Sequence, residues 1–96
     1  MAQREITPRR RFEVPASFSV QELEGFLSDI SAETFLLEAE RLRTRRRISA
    51  LSAGGATVED ERLISRDQQI EERLEELEAR TAALRGRLEQ LQLGRA

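Results

Sequence analysis

Residues 63–91 read LISRDQQIEERLEELEARTAALRGRLEQL and carry the most regular apolar pattern of the chain. Leucine or isoleucine recurs every seven residues at positions that we call d. At the intervening positions, which we call a, leucine occurs at 74 and 88 and threonine at 81. A heptad repeat kept over this length predicts an α-helix with coiled-coil-type packing. The repeat is weaker at its start, where Asp60 and Asp67 occupy a positions. The candidate coiled-coil interface consists of Leu63, Ile70, Leu74, Leu77, Leu84, Leu88 and Leu91.

Charged residues beside this repeat indicate how the helix selects a partner. Arg66 and Arg73 occupy the flanking g positions, while Glu71 and Glu78 occupy the flanking e positions. In a parallel pair of identical helices, Arg66 would lie near Glu71 of the second copy and Arg73 near Glu78. An antiparallel pair of identical helices would instead bring the arginines together. The charges therefore favour parallel self-association, or an antiparallel partner with acidic flanks.

Local signals divide the chain into segments. Ser19 and Glu22 form a capping-box pattern that predicts a helix start. Gly54 and Gly55 predict a helix end, and Thr57 followed by three acidic residues predicts the start of the long helix. The sequence thus predicts an all-α fold that can close as a helical hairpin, although the long helix can equally pair with another chain. The predicted units are an extended N-terminal arm at 1–18, a helical body of two segments at 19–53, a Gly-Gly loop at 54–56 and a long coiled-coil-type helix at 57–96.

The helical body has two apolar stripes. Asp29 and Ser31 interrupt its pattern, and Ser31 can cap a second helical segment. Beyond this point Phe35, Ala39 and Leu42 share one face of the predicted helix. A helix with two apolar stripes is typical of one with more than one packing neighbour. The second stripe consists of Leu37, Thr44, Ile48 and Leu51.

The N-terminal arm combines two prolines with a positive charge. Pro8 and Pro15 favour extended backbone in the residues before them. Residues 1–11 contain four arginines and one glutamate, whereas residues 12–40 contain seven acidic residues and no basic one. We therefore expect the arm to contact another segment or another chain. The candidate arm contacts are Arg9, Arg10, Arg11, Phe12 and Val14.

A cluster of arginines lies near the end of the helical body, within the sequence RLRTRRR at 41–47. Such a cluster can contact phosphate groups, with nucleic acid as the ligand, or acidic groups of a protein. No aromatic residue lies among these arginines to stack on bases, and the net charge of the chain is −2. A protein partner is therefore favoured over nucleic acid. The cluster consists of Arg41, Arg43, Arg45, Arg46 and Arg47.

The composition bears on enzymatic function. The chain has 96 residues and lacks Cys, His, Tyr and Trp, which removes the usual nucleophiles, general bases and zinc ligands. We expect no catalytic residue, no metal or cofactor, no small-molecule substrate and no membrane association. A cytoplasmic location is expected, or a place in a particle assembled there.

These features favour a non-enzymatic structural or adaptor subunit that mediates protein–protein assembly through its coiled-coil helix and its arm. Its expected partners are proteins, copies of itself among them. By analogy with small accessory proteins that are built in this way, the expected place of such a subunit is a virus or phage particle or another large complex. The alternative is a small dimeric regulator that binds nucleic acid through its arginine clusters.

Overall fold

The computed structural model describes residues 13–52 and 58–94, and over these ranges the chain is a helical hairpin. Helix α1 spans Val20–Ser52 and helix α2 spans Val58–Leu93. The two helices pack against each other. The all-α prediction is confirmed, and the long helix packs on its own chain. The predicted Gly-Gly loop lies outside the described residues.

Helix α1 begins at the predicted capping box. The Ser19 N–H donates to Glu22 Oε1 at 2.8 Å, and the Glu22 N–H donates to Ser19 Oγ at 3.1 Å. These reciprocal bonds satisfy two donors that the first turn of a helix leaves without intrahelical partners. The helix start is therefore fixed by local sequence.

The prediction of two segments in the helical body was wrong, because α1 continues through Asp29 and Ser31 without a break. Both side chains are exposed, so water can solvate them and neither has to cap a helix end. The neighbouring Leu27 and Ile30 are half-buried. Packing of this apolar face on α2 stabilises the helix across a sequence that favours a break, since tertiary contacts supply most helical stability.

The core of the hairpin is the d series of α2 packed against α1. Leu23, Ile70, Leu77 and Leu84 are the buried apolar side chains of the described residues. Helix α2 is uninterrupted through Gly86, as the heptad predicts. The other members of the candidate interface are half-buried, which fits their places at the ends of the d series and along the a series: Leu63, Leu74, Leu88 and Leu91.

Helix α1 carries a matching heptad face. Spacings of four and three residues alternate along this face, which keeps it on one side of α1, towards α2. The second predicted stripe belongs to this face. The first predicted stripe does not, since Phe35 is 70% exposed and Leu42 is 52% exposed. The face consists of Leu23, Leu27, Ile30, Thr34, Leu37, Arg41, Thr44, Ile48 and Leu51, all buried or half-buried.

The described part of the arm, residues 13–18, is not helical and lies at the end of the hairpin where α1 begins and α2 ends. Arg87 Nη2 donates to the Ala16 carbonyl oxygen at 3.3 Å. The ring of Phe18 packs on that of Phe26, with centroids 4.9 Å apart. Val14 is half-buried and shares a small pocket with Gly86. The other predicted arm contacts lie outside the described residues: Arg9, Arg10, Arg11 and Phe12.

Candidate functional site: two unequal edges of the hairpin

One long edge of the hairpin, which we call the ladder edge, is closed by ion pairs between the two helices. Each pair lies seven residues further along α1 and seven residues further back along α2, which shows that the helices are antiparallel. This spacing repeats the heptad, so the charged side chains stack beside the core. The pairs are Glu33–Arg73, Glu40–Arg66 and Arg47–Glu59.

We call each ion pair of the ladder edge a rung, and two of the rungs are bidentate. Arg73 donates from Nε and Nη2 to Glu33 at 2.7 and 3.1 Å, and Arg66 donates from the same atoms to Glu40 at 2.7 and 2.8 Å. These hydrogen bonds lower the pKa of Glu33 and Glu40 below the ordinary value of 4.5. The stabilisation that these two ion pairs give the folded chain is therefore complete when the pH is above the ordinary carboxyl pKa. It is lost as the pH falls through the lowered pKa of the folded state.

The ladder edge removes the charge argument for parallel self-association. Arg66 and Arg73 are already bonded to carboxylates of α1, and Glu71 lies 3.7 Å from Arg41. The predicted pairs between copies would require these contacts to break. The antiparallel partner with acidic flanks, which the sequence also allowed, is α1 of the same chain. Glu78 lies on the opposite edge and takes no part in the ladder.

The arginine cluster explains why α2 tolerates an acidic residue in its a series. Asp67 is mostly shielded from water, and its carboxylate lies 3.2 Å from Arg45 and 3.6 Å from Arg41. With Arg47 on the ladder edge, three of the five arginines contact acidic groups of α2. Arg43 and Arg46 remain exposed. The acidic partner of the cluster is therefore, for the most part, the second helix of the hairpin, which leaves fewer cations for phosphate.

Reversing the charge of the ladder edge should destabilise the hairpin. The pair Glu33→Arg and Glu40→Arg would set arginine against arginine on two rungs, and we expect the thermal unfolding midpoint to fall by several degrees. Adding Arg66→Glu and Arg73→Glu restores opposite charges and should recover most of the loss. Circular dichroism at 222 nm measures each midpoint.

The matched control for this series is Glu72→Arg with Glu89→Arg, which changes the net charge equally at exposed positions off the ladder. Its midpoint should stay near that of the parent chain. If the control falls as far as the ladder variant, or if the compensating changes rescue nothing, the antiparallel register described above is wrong.

The opposite edge, which we call the open edge, has no such ladder and forms a groove of about 610 Å³ between the helices. Ile30 and Leu74 contribute apolar surface to its lining, and Phe35 lies on its α1 wall. Glu38 and Glu78 also line it, and neither forms an ion pair with any residue of the described ranges. The hairpin is thus closed on one edge by the ladder. On the other edge Glu38 and Glu78 face a groove and form no ion pair within the described residues.

An apolar surface lies on the outward side of α1, with Phe35 beside the open edge and Leu36 beside the ladder residues Glu33 and Glu40. Phe35 is 70% exposed, Leu36 is 66% exposed and Leu42 is 52% exposed. The small side chain of Ala39 lies between Phe35 and Leu42 in the helical spacing. We call these four residues the outer stripe. Large contiguous apolar patches on a protein surface are typical of interaction sites.

The sequence marked an apolar face on α2 and two apolar stripes on α1, but it did not show which stripe of α1 packs on α2 or where the acidic flank of α1 lies. The heptad face of α1 was readable, because Leu23, Ile30 and Leu37 recur every seven residues. Glu33 and Glu40, also seven residues apart, mark the acidic flank. Recognising that face would have shown that the outer stripe points elsewhere. Nothing in the sequence indicates that Glu38 lacks an ion-pair partner within the described residues.

The described residues contain neither a candidate metal-binding cluster nor a helix that could span a membrane. Within residues 13–52 and 58–94, no cluster of three or more acidic or other ligating side chains is placed to hold a metal ion. Neither α1 nor α2 combines the length and the hydrophobicity that crossing a membrane requires. No family model, curated protein or solved structure matches the chain. The function is therefore argued from the two edges and the outer stripe.

Proposed function

We propose that this chain is a non-enzymatic structural or adaptor subunit that associates with other helical polypeptides, copies of itself among them, through the outer stripe of α1. The observation that carries the proposal is the exposure of Phe35, Leu36 and Leu42 on a helix whose other apolar face is already packed. Two apolar stripes on α1 are typical of a helix with two packing neighbours. The hairpin supplies one, and the proposal assigns the other to a second polypeptide.

The small size of the core supports association. The described hairpin buries four apolar side chains fully, whereas a single small unit of this kind rarely gains more than about 3–5 kcal/mol from its core. Burial of the outer stripe against a neighbour would add apolar area without rearranging either helix. A subunit of this design suits a place in an assembled particle or another large complex.

The geometry of the outer stripe suits a second copy. Phe35 and Leu42 lie two helical turns apart, and Ala39 between them would let another helix approach closely. A two-fold axis at Ala39 would place Phe35 of each copy against Leu42 of the other, so that the same surface is used on both sides. Self-complementary contacts of this type are the commonest route to a homodimer.

A single cysteine tests this contact, because the chain contains none of its own. Ala39→Cys would place the thiol at the proposed axis, and we expect oxidation or a short bis-maleimide to yield a covalent dimer. Glu72→Cys is the control, since this exposed position of α2 lies away from the stripe. Equal cross-linking of the two variants, or none at residue 39, would refute association through this surface.

A further inference from the structure

We propose that the groove on the open edge is the docking site of residues 1–12 of the same chain. The groove shares Phe35 with the outer stripe, but its other lining residues are distinct. The inference does not depend on self-association. It would make the arm the third element of the fold, laid along the edge that the ladder leaves open. Four properties of the described residues and of the sequence support it.

The arm starts close enough to reach the groove. Arg87 holds the Ala16 carbonyl beside the C-terminal half of α2, and Val14 shares a pocket with Ala82. The groove runs along the same helix as far as Glu71. The rise from Ala82 to Glu71 is about 17 Å at 1.5 Å per residue. Twelve extended residues span up to about 40 Å, so the reach is ample.

The charges of the arm and of the groove are complementary. Residues 1–12 contain four arginines and one glutamate, a net charge of +3. The groove is lined by four carboxylates and two guanidinium groups, a net charge of −2. Of the two guanidinium groups, that of Arg41 lies 3.6 Å from Asp67, outside the groove lining, and 3.7 Å from Glu71, inside it. The carboxylates are those of Glu38, Glu71, Glu75 and Glu78.

The same charges disfavour a second copy as the occupant of this groove. Two copies meeting edge to edge would bring the acidic walls together, and like charges at close range repel. The arm has the opposite sign and the advantage of its tether. A short covalent connection gives an effective concentration in the millimolar range, so the arm of the same chain outcompetes arms from other copies in dilute solution.

The arm also carries apolar side chains that suit the groove. Ile6 and Phe12 lie on either side of the arginine run, and the groove offers Ile30 and Leu74 as apolar surface. Pro8 favours an extended backbone at the residue before it. An extended segment occupies a narrower channel than a helix does.

Cysteine pairs in the otherwise cysteine-free chain test the proposal. Thr7→Cys combined with Ser31→Cys places the second thiol in the groove. Thr7→Cys combined with Gln69→Cys places it on the exposed ladder edge, beside Arg66. With a short bis-maleimide, in dilute protein at low salt, we expect the groove pair to cross-link severalfold faster and to migrate as a monomer.

The dependence of the cross-linking rate on charge supplies a second test. Glu38→Lys with Glu78→Lys should slow the cross-linking of the groove pair to the rate of the ladder-edge pair. Glu72→Lys with Glu89→Lys makes an equal charge change at exposed positions outside the groove and should leave the groove pair faster. Added salt should reduce this difference in rate. Equal rates for the two cysteine pairs, products with the mobility of a dimer, or no response to the groove charges would each overturn the proposal.

Discussion

Replacing Leu77 by alanine should remove most of the helical structure of the isolated chain. Leu77 is 1% exposed, at the centre of the d series that packs on α1. Truncating a buried leucine to alanine costs about 2–5 kcal/mol. Native domains are stable by only about 5–15 kcal/mol, and a hairpin with four buried apolar side chains belongs at the low end of that range. Urea titration followed by circular dichroism measures the loss.

The matched control is Leu93→Ala, the same chemical change at a residue that is 70% exposed. Because little apolar area is withdrawn from water there, we expect a change of less than about 0.5 kcal/mol. Similar unfolding curves for Leu77→Ala and Leu93→Ala would show that the d series does not form the core.

Replacing both Phe35 and Leu42 by glutamine should abolish self-association and leave the hairpin folded. Glutamine has a helix propensity close to that of leucine, and both side chains are more than half exposed. Burial of each large apolar side chain contributes about 1.5–3 kcal/mol. Since about 1.4 kcal/mol is a factor of ten in affinity, two such losses on each copy should weaken association more than about a hundredfold.

The control for this variant removes two exposed apolar side chains elsewhere. Val58 is 67% exposed and Leu93 is 70% exposed, one at each end of α2. The pair Val58→Gln and Leu93→Gln should associate as the parent chain does. If both double variants lose association to the same degree, general hydrophobicity and not the outer stripe drives it.

The helices could be predicted from sequence because their signals are local. The heptad of residues 63–91 specifies an amphipathic helix whether its packing partner belongs to the same chain or to another. The capping box at Ser19 depends only on residues of the first helical turn. The orientation of the partner is a different kind of property. Arg66 and Arg73 can pair with acids of a second copy or of α1, and only the folded chain shows that Glu40 and Glu33 accept them.

The continuity of α1 could not be predicted from local signals. Asp29 and Ser31 are residues that often cap helices, yet a capping preference is worth less than the apolar contacts of a helix that packs along its whole length. The two stripes of α1 were visible in the sequence. Deciding which of them faces α2 required the register of the hairpin, and with it the exposure of Phe35.

The open edge depends on the same register. Glu38 and Glu33 are both acidic and lie on the same helix, but Glu33 meets Arg73 across the ladder and Glu38 has no basic partner in the described ranges. A sequence records both residues simply as glutamates. The difference between a closed edge and an acidic groove arises only when the two helices are placed side by side.

The central claim, that copies of this chain associate through the outer stripe, is tested most directly by sedimentation equilibrium of the intact chain from micromolar to millimolar concentration. We expect the mass to rise with concentration above the 11.0 kDa of one chain. The variant Phe35→Gln with Leu42→Gln should remain at 11.0 kDa with an unchanged helix signal. A parent chain that stays at the mass of one copy throughout this range would contradict the claim.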